Sequence, residues 1–366
     1  LVAAALFILG IRDLSSAETA RRGNMLAAIG MLLALVGTLQ HGLIVRYEWI
    51  IAGMVIGGLI GLLMAVFMPM TAMPERIAIV NGLGGAASCL VGVCEYYRHV
   101  INPTTEQLRE HFDAFHVGVA GFEVMLGALT FTGSMVAYGK LRGIVPGRPM
   151  TYPGQNVMNV AWLIGMSVII GGLVLGQFDS TWFFVLLAMA VLFGVMFVLP
   201  IGGADMPVVI AMLNAYSGLA AAATGFVLGN KVLIIAGALD GSSGFLLSIL
   251  MCRAMNRSIT NVLFGAVGQV IGGSKGDGAA GGDPQTISAV EAAERLFDAR
   301  RVIIVPGYGM AAAGAHFAVR EMADLLKARG VEIRYAIHPV AGRMPGHMNV
   351  LLADANVPYD ELVEMD

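Results

Sequence analysis

The chain has 366 residues, 57% of them hydrophobic and 13% charged, with a mean hydropathy of +0.77. An ordinary soluble globule carries about 25% charged residues, so this composition excludes one and makes a polytopic membrane protein the default. The net charge of −3 points to neither nucleic acid nor an acidic partner.

Nine apolar stretches come first, at 1–11, 25–43, 49–68, 76–95, 115–138, 157–176, 181–199, 207–228 and 231–251. Most approach the roughly 20 residues that cross a hydrocarbon core of about 30 Å. Leu1 opens in mid-helix with neither Met nor a signal peptide, and Asp366 follows a strand-like stretch, so both ends read as cut. Counting Lys and Arg in alternate loops sets the orientation. Arg12, Arg21, Arg22, Arg76, Lys140, Arg142, Arg148, Arg253 and Arg257 fall on one side, against Arg46, Arg98, Arg109 and Lys231 on the other. The richer side is the cytoplasmic one, and it receives the C-terminal tail. Cys89, Cys94 and Cys252 fall within or at the ends of apolar segments, as buried thiols rather than a metal or disulfide site.

Gly53, Gly57 and Gly61 recur every four residues on one helix face, which predicts a tightly packed helix pair there. The Gly82-Leu83-Gly84-Gly85 run mimics a dinucleotide loop, but it sits inside an apolar span with no strand before it. Polar residues within spans are functional suspects. They include Asn81, His116 and Glu123 seven residues apart, Asn214 with Tyr216 and Ser217, and Asp240 through Gly244. For Asn81 and Asn214 the plain alternative is an interhelical hydrogen bond, and for His116 an interfacial position. Asp205 precedes Met206-Pro207, so it reads equally as a helix-capping carboxylate or a proton carrier. So many polar groups in one bundle together point to an ion or proton path.

Composition changes near residue 258. Glycines at 265, 268, 272, 273, 276, 278, 281 and 282 read as a tether with no apolar face to bury. Thr286–Ala299 has helical spacing with Ser288 and Glu291 in capping-box positions, and Arg301–Val305 reads as a buried parallel strand. That strand runs into Gly307-Tyr308-Gly309-Met310-Ala311-Ala312 and a helix reaching about Arg329, the setting a dinucleotide fingerprint requires. The next strand, Val331–Ile337, delivers His338 to Asn349 with no acid for a ribose hydroxyl, while Arg343 can serve a phosphate. This favours NADP over NAD. His338 and His347 lack accompanying Cys or carboxylates, so a loop around a ligand is a better reading than a metal pair.

A membrane bundle of about nine helices, followed by a partial Rossmann-like α/β domain, resembles the β-subunit family of the proton-translocating nicotinamide nucleotide transhydrogenases. The resemblance covers essentially the whole chain. Its specific stretches are Ile201–Val209, Asn214–Gly218, Gly241–Gly244, Ala254–Ser258, Pro306–Ala311 and His338–Asn349. It implies hydride transfer from NADH to NADP+ coupled to inward proton movement, with NAD(H) on a separate α subunit and NADP(H) on this chain. It also implies a dimer of αβ units in a bacterial inner membrane, with the nucleotide domain cytoplasmic. The domains become a translocating bundle at 1–257, a linker at 258–284 and an NADP(H) domain at 285–366. Asp205, Asn214 and Asn81 become the proton-path candidates, and Gly244 a position on the coupling helix. Gly307, Tyr308, Gly309, Met310, Ala311, His338, Val340, Ala341, Gly342 and Arg343 become NADP(H) contacts. No metal is implied.

Two departures stand out. Asn81 occupies the place where bacterial relatives carry a membrane histidine. The sequence also stops before the family's distal NADP elements, so the chain alone is expected not to retain NADP(H). The competing readings are an ion channel or secondary transporter gated by a cytoplasmic nucleotide domain, and a structural membrane subunit with a degenerate nucleotide fold.

Overall fold

The computed structural model describes residues 2–16, 18–40, 47–69, 72–103, 112–255, 258–259, 262, 287–307, 309–310, 313–338, 341 and 346–364. The chain divides into two compact units. The larger comprises 1–68, 75–203 and 209–248, the smaller 69–74, 204–208 and 249–366. The glycine-rich segment expected as a tether, 265–284, lies outside the described residues.

In hydrocarbon a single segment satisfies all its backbone N–H and C=O groups only as a helix, so each apolar run becomes one. They are α1 (Val2–Leu14), α2 (Ala20–Leu39), α3 (Tyr47–Phe67), α4 (Met73–Tyr96), α5 (Ala114–Leu141), α6 (Gln155–Val174), α7 (Thr181–Val198), α8 (Met206–Val227) and α9 (Lys231–Ala254). Eight of them, α2 to α9, are long and apolar enough to cross a membrane, α4 counted with the π-turn Tyr97–Ile101 that extends it. The first expected span appears as the 13-residue α1.

The packing is written in small residues, though not where the sequence pattern placed it. Among the described residues no α3 side chain is buried, and a Cβ added at Gly53, Gly57 or Gly61 would meet nothing within 4 Å. The close approaches lie elsewhere. A Cβ at Gly85 of α4 would stand 2.8 Å from the Gly127 carbonyl oxygen of α5, and one at Gly127 2.7 Å from the Gly85 oxygen. A Cβ at Gly218 of α8 would collide with the Gly241 backbone of α9. Helix backbones this close are what small-residue interfaces permit. Cys89 and Cys252 are buried as expected, whereas Cys94 is exposed, because it falls on the face of α4 turned away from α5.

α5 is buried along most of its length, with buried residues from Ala120 to Leu141, and it packs against α6 and α7. Its start is fixed by Asp113, whose carboxylate accepts from the His116 amide at 3.1 Å. That bond and a second one from the His116 ring hold the Asp113 carboxyl below the usual carboxylate range. Near its end, Lys140 Nζ donates to the Leu199 and Ile201 carbonyls at 2.5 and 2.6 Å, satisfying orphan acceptors just past the C-terminus of α7.

The smaller unit holds α10 (Ala289–Phe297), β1 (Arg301–Ile304), α11 (His316–Lys327), β2 (Glu332–Ile337), α12 (His347–Asp354) and β3 (Leu362–Glu364). The capping box expected at Ser288 and Glu291 is present in both directions. The strands form one parallel sheet in the order β1-β2-β3, with Arg301 opposite Glu332 and Tyr335 opposite Leu362. The core gathers Ala323 and Leu326 of α11, Ile333, Tyr335 and Ile337 of β2, and Met348, Leu351 and Leu352 of α12. β1 is parallel but not buried. It lies at the sheet edge, and Ile303 is 60% exposed. The helix after the glycine turn begins where its spacing predicts, with Gly309 and Met310 helical, but it does not run on unbroken. Gly314 takes φ +69°, a left-handed conformation that breaks the first turn, and α11 starts at His316.

Candidate functional site

The polar residues of the larger unit form a connected group. Asn81, 8% exposed on α4, donates from Nδ2 to Ser134 Oγ of α5 at 3.2 Å. Its Oδ1 accepts from Ser217 Oγ of α8 at 2.7 Å, and Ser217 also reaches the Asn214 carbonyl at 2.9 Å. Asn214 Nδ2 donates in turn to Asp240 Oδ1 of α9 at 3.2 Å. Four helices are thereby tied together by side-chain amides, hydroxyls and one carboxylate. Asn81 and Asn214 also line an open cleft of about 340 Å³ with Arg76, Ile77, Val80 and Gly84. Polar groups at membrane depth persist only when paired or hydrated, and this arrangement offers both.

Gly244 belongs to the same place. A Cβ there would stand 2.9 Å from the Ala211 oxygen and the Ala215 nitrogen, and 3.1 Å from Asn214 Nδ2. The absent side chain lets α9 approach α8 one turn beyond Asp240, against the Asn214 amide. Asp205 falls in the smaller unit, half-buried, and closes the 3-10 turn Gly203–Asp205 directly ahead of α8. Sequence reasoning singled out Ser217 and Asp240 as polar interruptions without assigning them to the site, and it missed Ser134. Nothing in the Thr132-Gly133-Ser134 run separates that serine from a helix-bonded one.

In the smaller unit, adjacent parallel strands bring the two expected loops to one sheet edge. β1 exits to Gly307 and β2 to His338, with Ile304 opposite Tyr335 just before both exits. This is the carboxyl edge, where open parallel sheets bind ligands. Among the described residues, a Cβ at Gly307 or Gly309 would meet nothing within 4 Å, which leaves that backbone accessible on their side. The Met310 amide closes the turn onto the Gly307 carbonyl at 3.1 Å. Met310 and Ala341 pack against the domain core, and His338 is half-buried at the strand end. Tyr308, Ala311, Val340, Gly342 and Arg343 lie outside the described residues. The open glycine turn suits a pyrophosphate at close range, so the described residues fit a dinucleotide. Beneath this edge Tyr335 is fully buried on β2, and burial pushes its hydroxyl above the usual tyrosine value.

Residues 1–366 match the family described as NAD(P) transhydrogenase beta subunit. Two curated relatives from Rhodospirillum rubrum, one assigned to a particular strain, carry the name NAD(P) transhydrogenase subunit beta. Each is 47% identical over 378 residues, an alignment that takes in 100% of this chain and 78% of the relative.

Proposed function

Because this chain belongs to the NAD(P) transhydrogenase beta subunit family, we propose that it carries the NADP(H) side of hydride transfer from NADH to NADP+, and the route by which a proton moves inward with it. The family is a proton-translocating transhydrogenase, and its β subunit is a membrane subunit that works with an α subunit. Membership sets aside the gated channel and the secondary transporter. It also disfavours a structural subunit with a degenerate nucleotide fold. NAD(H) is then held by the α subunit.

The observation that carries the reading is the bond series Ser134–Asn81–Ser217–Asn214–Asp240, which runs from buried Ser134 and Asn81 through half-buried Ser217 and Asn214 to exposed Asp240, set among largely apolar helices. Asn81 and Asn214 have amides that both donate and accept, so they position a proton-bearing neighbour or water without titrating. Asp240 supplies the one ionisable group of that series. Gly244 keeps α9 close enough to α8 for the Asn214–Asp240 bond. We assign Asp205, directly ahead of α8, to the same route.

NADP(H) supplies the hydride or its acceptor when bound. This chain's part is to hold and orient it. The Gly307–Gly309 backbone would take the pyrophosphate, and we read Tyr308, Met310, Ala311, His338, Val340, Ala341, Gly342 and Arg343 as the further residues that would hold NADP(H). The domain at 285–366 is read as Rossmann-like, joined by 258–284 to a nine-span bundle at 1–257. The assembly is read as a dimer of αβ units in a bacterial inner membrane, the nucleotide domain facing the cytoplasm.

The test uses the enzyme assembled with its α subunit in sealed vesicles, following reduction of an NADP analogue by NADH together with lumenal pH. With the nucleotide side facing the medium, inward movement is movement out of the lumen, so hydride transfer from NADH that makes the lumen more alkaline, with that change lost in Asn214→Ala, fits the proposal. Hydride transfer with no pH change in the wild type overturns it.

A further inference from the structure

Three turns along α5 from Ser134 lies a second buried polar site that the series above does not use. Glu123 is fully buried, and Thr224 Oγ1 of α8 stands 2.6 Å from its Oε1. Its other oxygen, Oε2, lies against the Gly92 backbone of α4 and bonds to no side chain among the described residues. The carboxyl is given room by Gly92 of α4, where a Cβ would meet Glu123 Oε2 at 3.3 Å and Val124 Cγ2 at 2.8 Å.

The contacts of Thr224 make this more than a structural bond. Its hydroxyl lies 2.6 Å from Glu123 Oε1 and 3.0 Å from the Ala220 carbonyl, yet it has a single proton to donate. Two arrangements satisfy the geometry. A carboxylate accepts the Thr224 proton; a carboxylic acid donates to Thr224 Oγ1, and Thr224 then turns its proton to the Ala220 carbonyl. A rotation of one hydroxyl converts one into the other with every heavy atom in place. A site built only for packing needs one of these states, whereas a site that loads and releases a proton needs both.

Placement agrees. On α5, Glu123, Gly127, Thr130 and Ser134 are spaced four, three and four residues apart, on one helix face. On α4, Asn81, Gly85, Ser88 and Gly92 share that spacing and lie against them. Thr130, fully buried with Oγ1 lacking a partner among the described residues, sits between the two polar centres. Glu123 is therefore about 16 Å from Ser134 along the helix axis, on the same stripe. The titratable groups that face it are Glu95 and Cys89 of α4. Glu95 continues outward to His99 at 3.2 Å, near the end of α5 where His116 meets Asp113.

We propose that the Glu123 carboxyl, paired with Thr224, is a proton-binding station of the translocation route, lying between the Asn81–Asn214 series and the Glu95–His99 pair. Resting on the proposed function, this assigns the route a titratable side chain at membrane depth where Asn81 has none to give. One proton enters at the carboxylate and one leaves from the acid; no other bond is made or broken, and nothing is oxidised.

The decisive experiment uses the αβ enzyme in vesicles, with Glu123→Gln, Glu123→Asp and Thr224→Val, read by protons moved per hydride and by infrared difference spectra between the NADP+ and NADPH states. Glu123→Gln keeps the shape and the Thr224 bond. It is expected to bind NADPH normally yet lose about a hundredfold in pumping, the lower range for a positioned proton-transfer group. Glu123→Asp should recover part of that loss. The wild-type spectra should contain a carboxyl band that disappears in Glu123→Gln and shifts in Thr224→Val. Wild-type stoichiometry in Glu123→Gln overturns the proposal, and so does a carboxyl band unmoved by it. Equal losses in Gln and Asp variants without any carboxyl band reveal a structural role and overturn it too. Indifference of Glu123→Gln in an enzyme that pumps sinks this inference alone. A wild-type enzyme that moves no protons sinks the proposed function with it.

Discussion

Helix α3 and the α8–α9 pair use the same alphabet to opposite ends. α3 carries Gly53, Gly57 and Gly61 on one face, and among the described residues a Cβ on any of them would meet nothing within 4 Å. α8 and α9 carry Gly218, Gly237, Gly241 and Gly244, and a Cβ on any of them would press into the neighbouring backbone. What separates them is the company the glycines keep. Around the α8–α9 glycines lie Asn214, Ser217 and Asp240, whose bonds fix the rotation of each helix about its axis. The residues between Gly53 and Gly61 are wholly apolar, so among the described residues no polar pair beside those glycines selects a partner over lipid. Small residues permit a close approach; polar pairs choose which approach is made.

Substitution can break this comparison, and the largest effect is expected at Gly218. Gly218→Ala drives a methyl into the Gly241 backbone, which cannot move aside as a side chain would, so a loss of about 3 kcal/mol is expected from overpacking. A denaturation series on the detergent-solubilised enzyme reads it, and an unchanged midpoint would mean that α8 and α9 are not in contact there. Gly244→Ala comes next, at about 1–2 kcal/mol, since its contacts include the Asn214 amide, which can turn aside. Its sharper signature is functional: pumping per hydride falls while NADPH binding stays. Asn81→Ala removes two interhelical bonds and should cost about 1 kcal/mol, given the roughly 0.6 kcal/mol that such bonds average in membranes. Gly57→Ala should lie within about 0.5 kcal/mol of wild type, because a methyl there meets open space. A Gly57→Ala loss as large as that of Gly218→Ala would show that α3 packs against another chain in the assembled enzyme.

Much of the site was visible in one dimension. Asn81, Asn214 and Gly244 stand out as polar or small residues in apolar runs, and the structure brings all three to one place. The turn at Gly307 and Gly309 follows a strand as its spacing requires, and the capping box of α10 could be read from Ser288 and Glu291 alone. Ser134 could not be found, because a serine inside a helix bonds its own backbone as readily as a neighbour. Glu123 was noticed but had no role, since Thr224 lies 101 residues away and no local pattern announces that pairing. The edge position of β1 was equally hidden, because an apolar run reads the same whether a sheet continues beyond it or stops.

The amino-acid sequence by itself determined that these helices exist and roughly where each begins and ends. That follows because a helix closes its hydrogen bonds four residues apart and needs no neighbour to do so. Only the tertiary structure decided which glycines are interfaces, and that Asn81 meets Ser217, Asn214 meets Asp240 and Glu123 meets Thr224. Those outcomes depend on the rotation and depth of one helix relative to another, a balance of packing and interhelical bonds that no single segment contains.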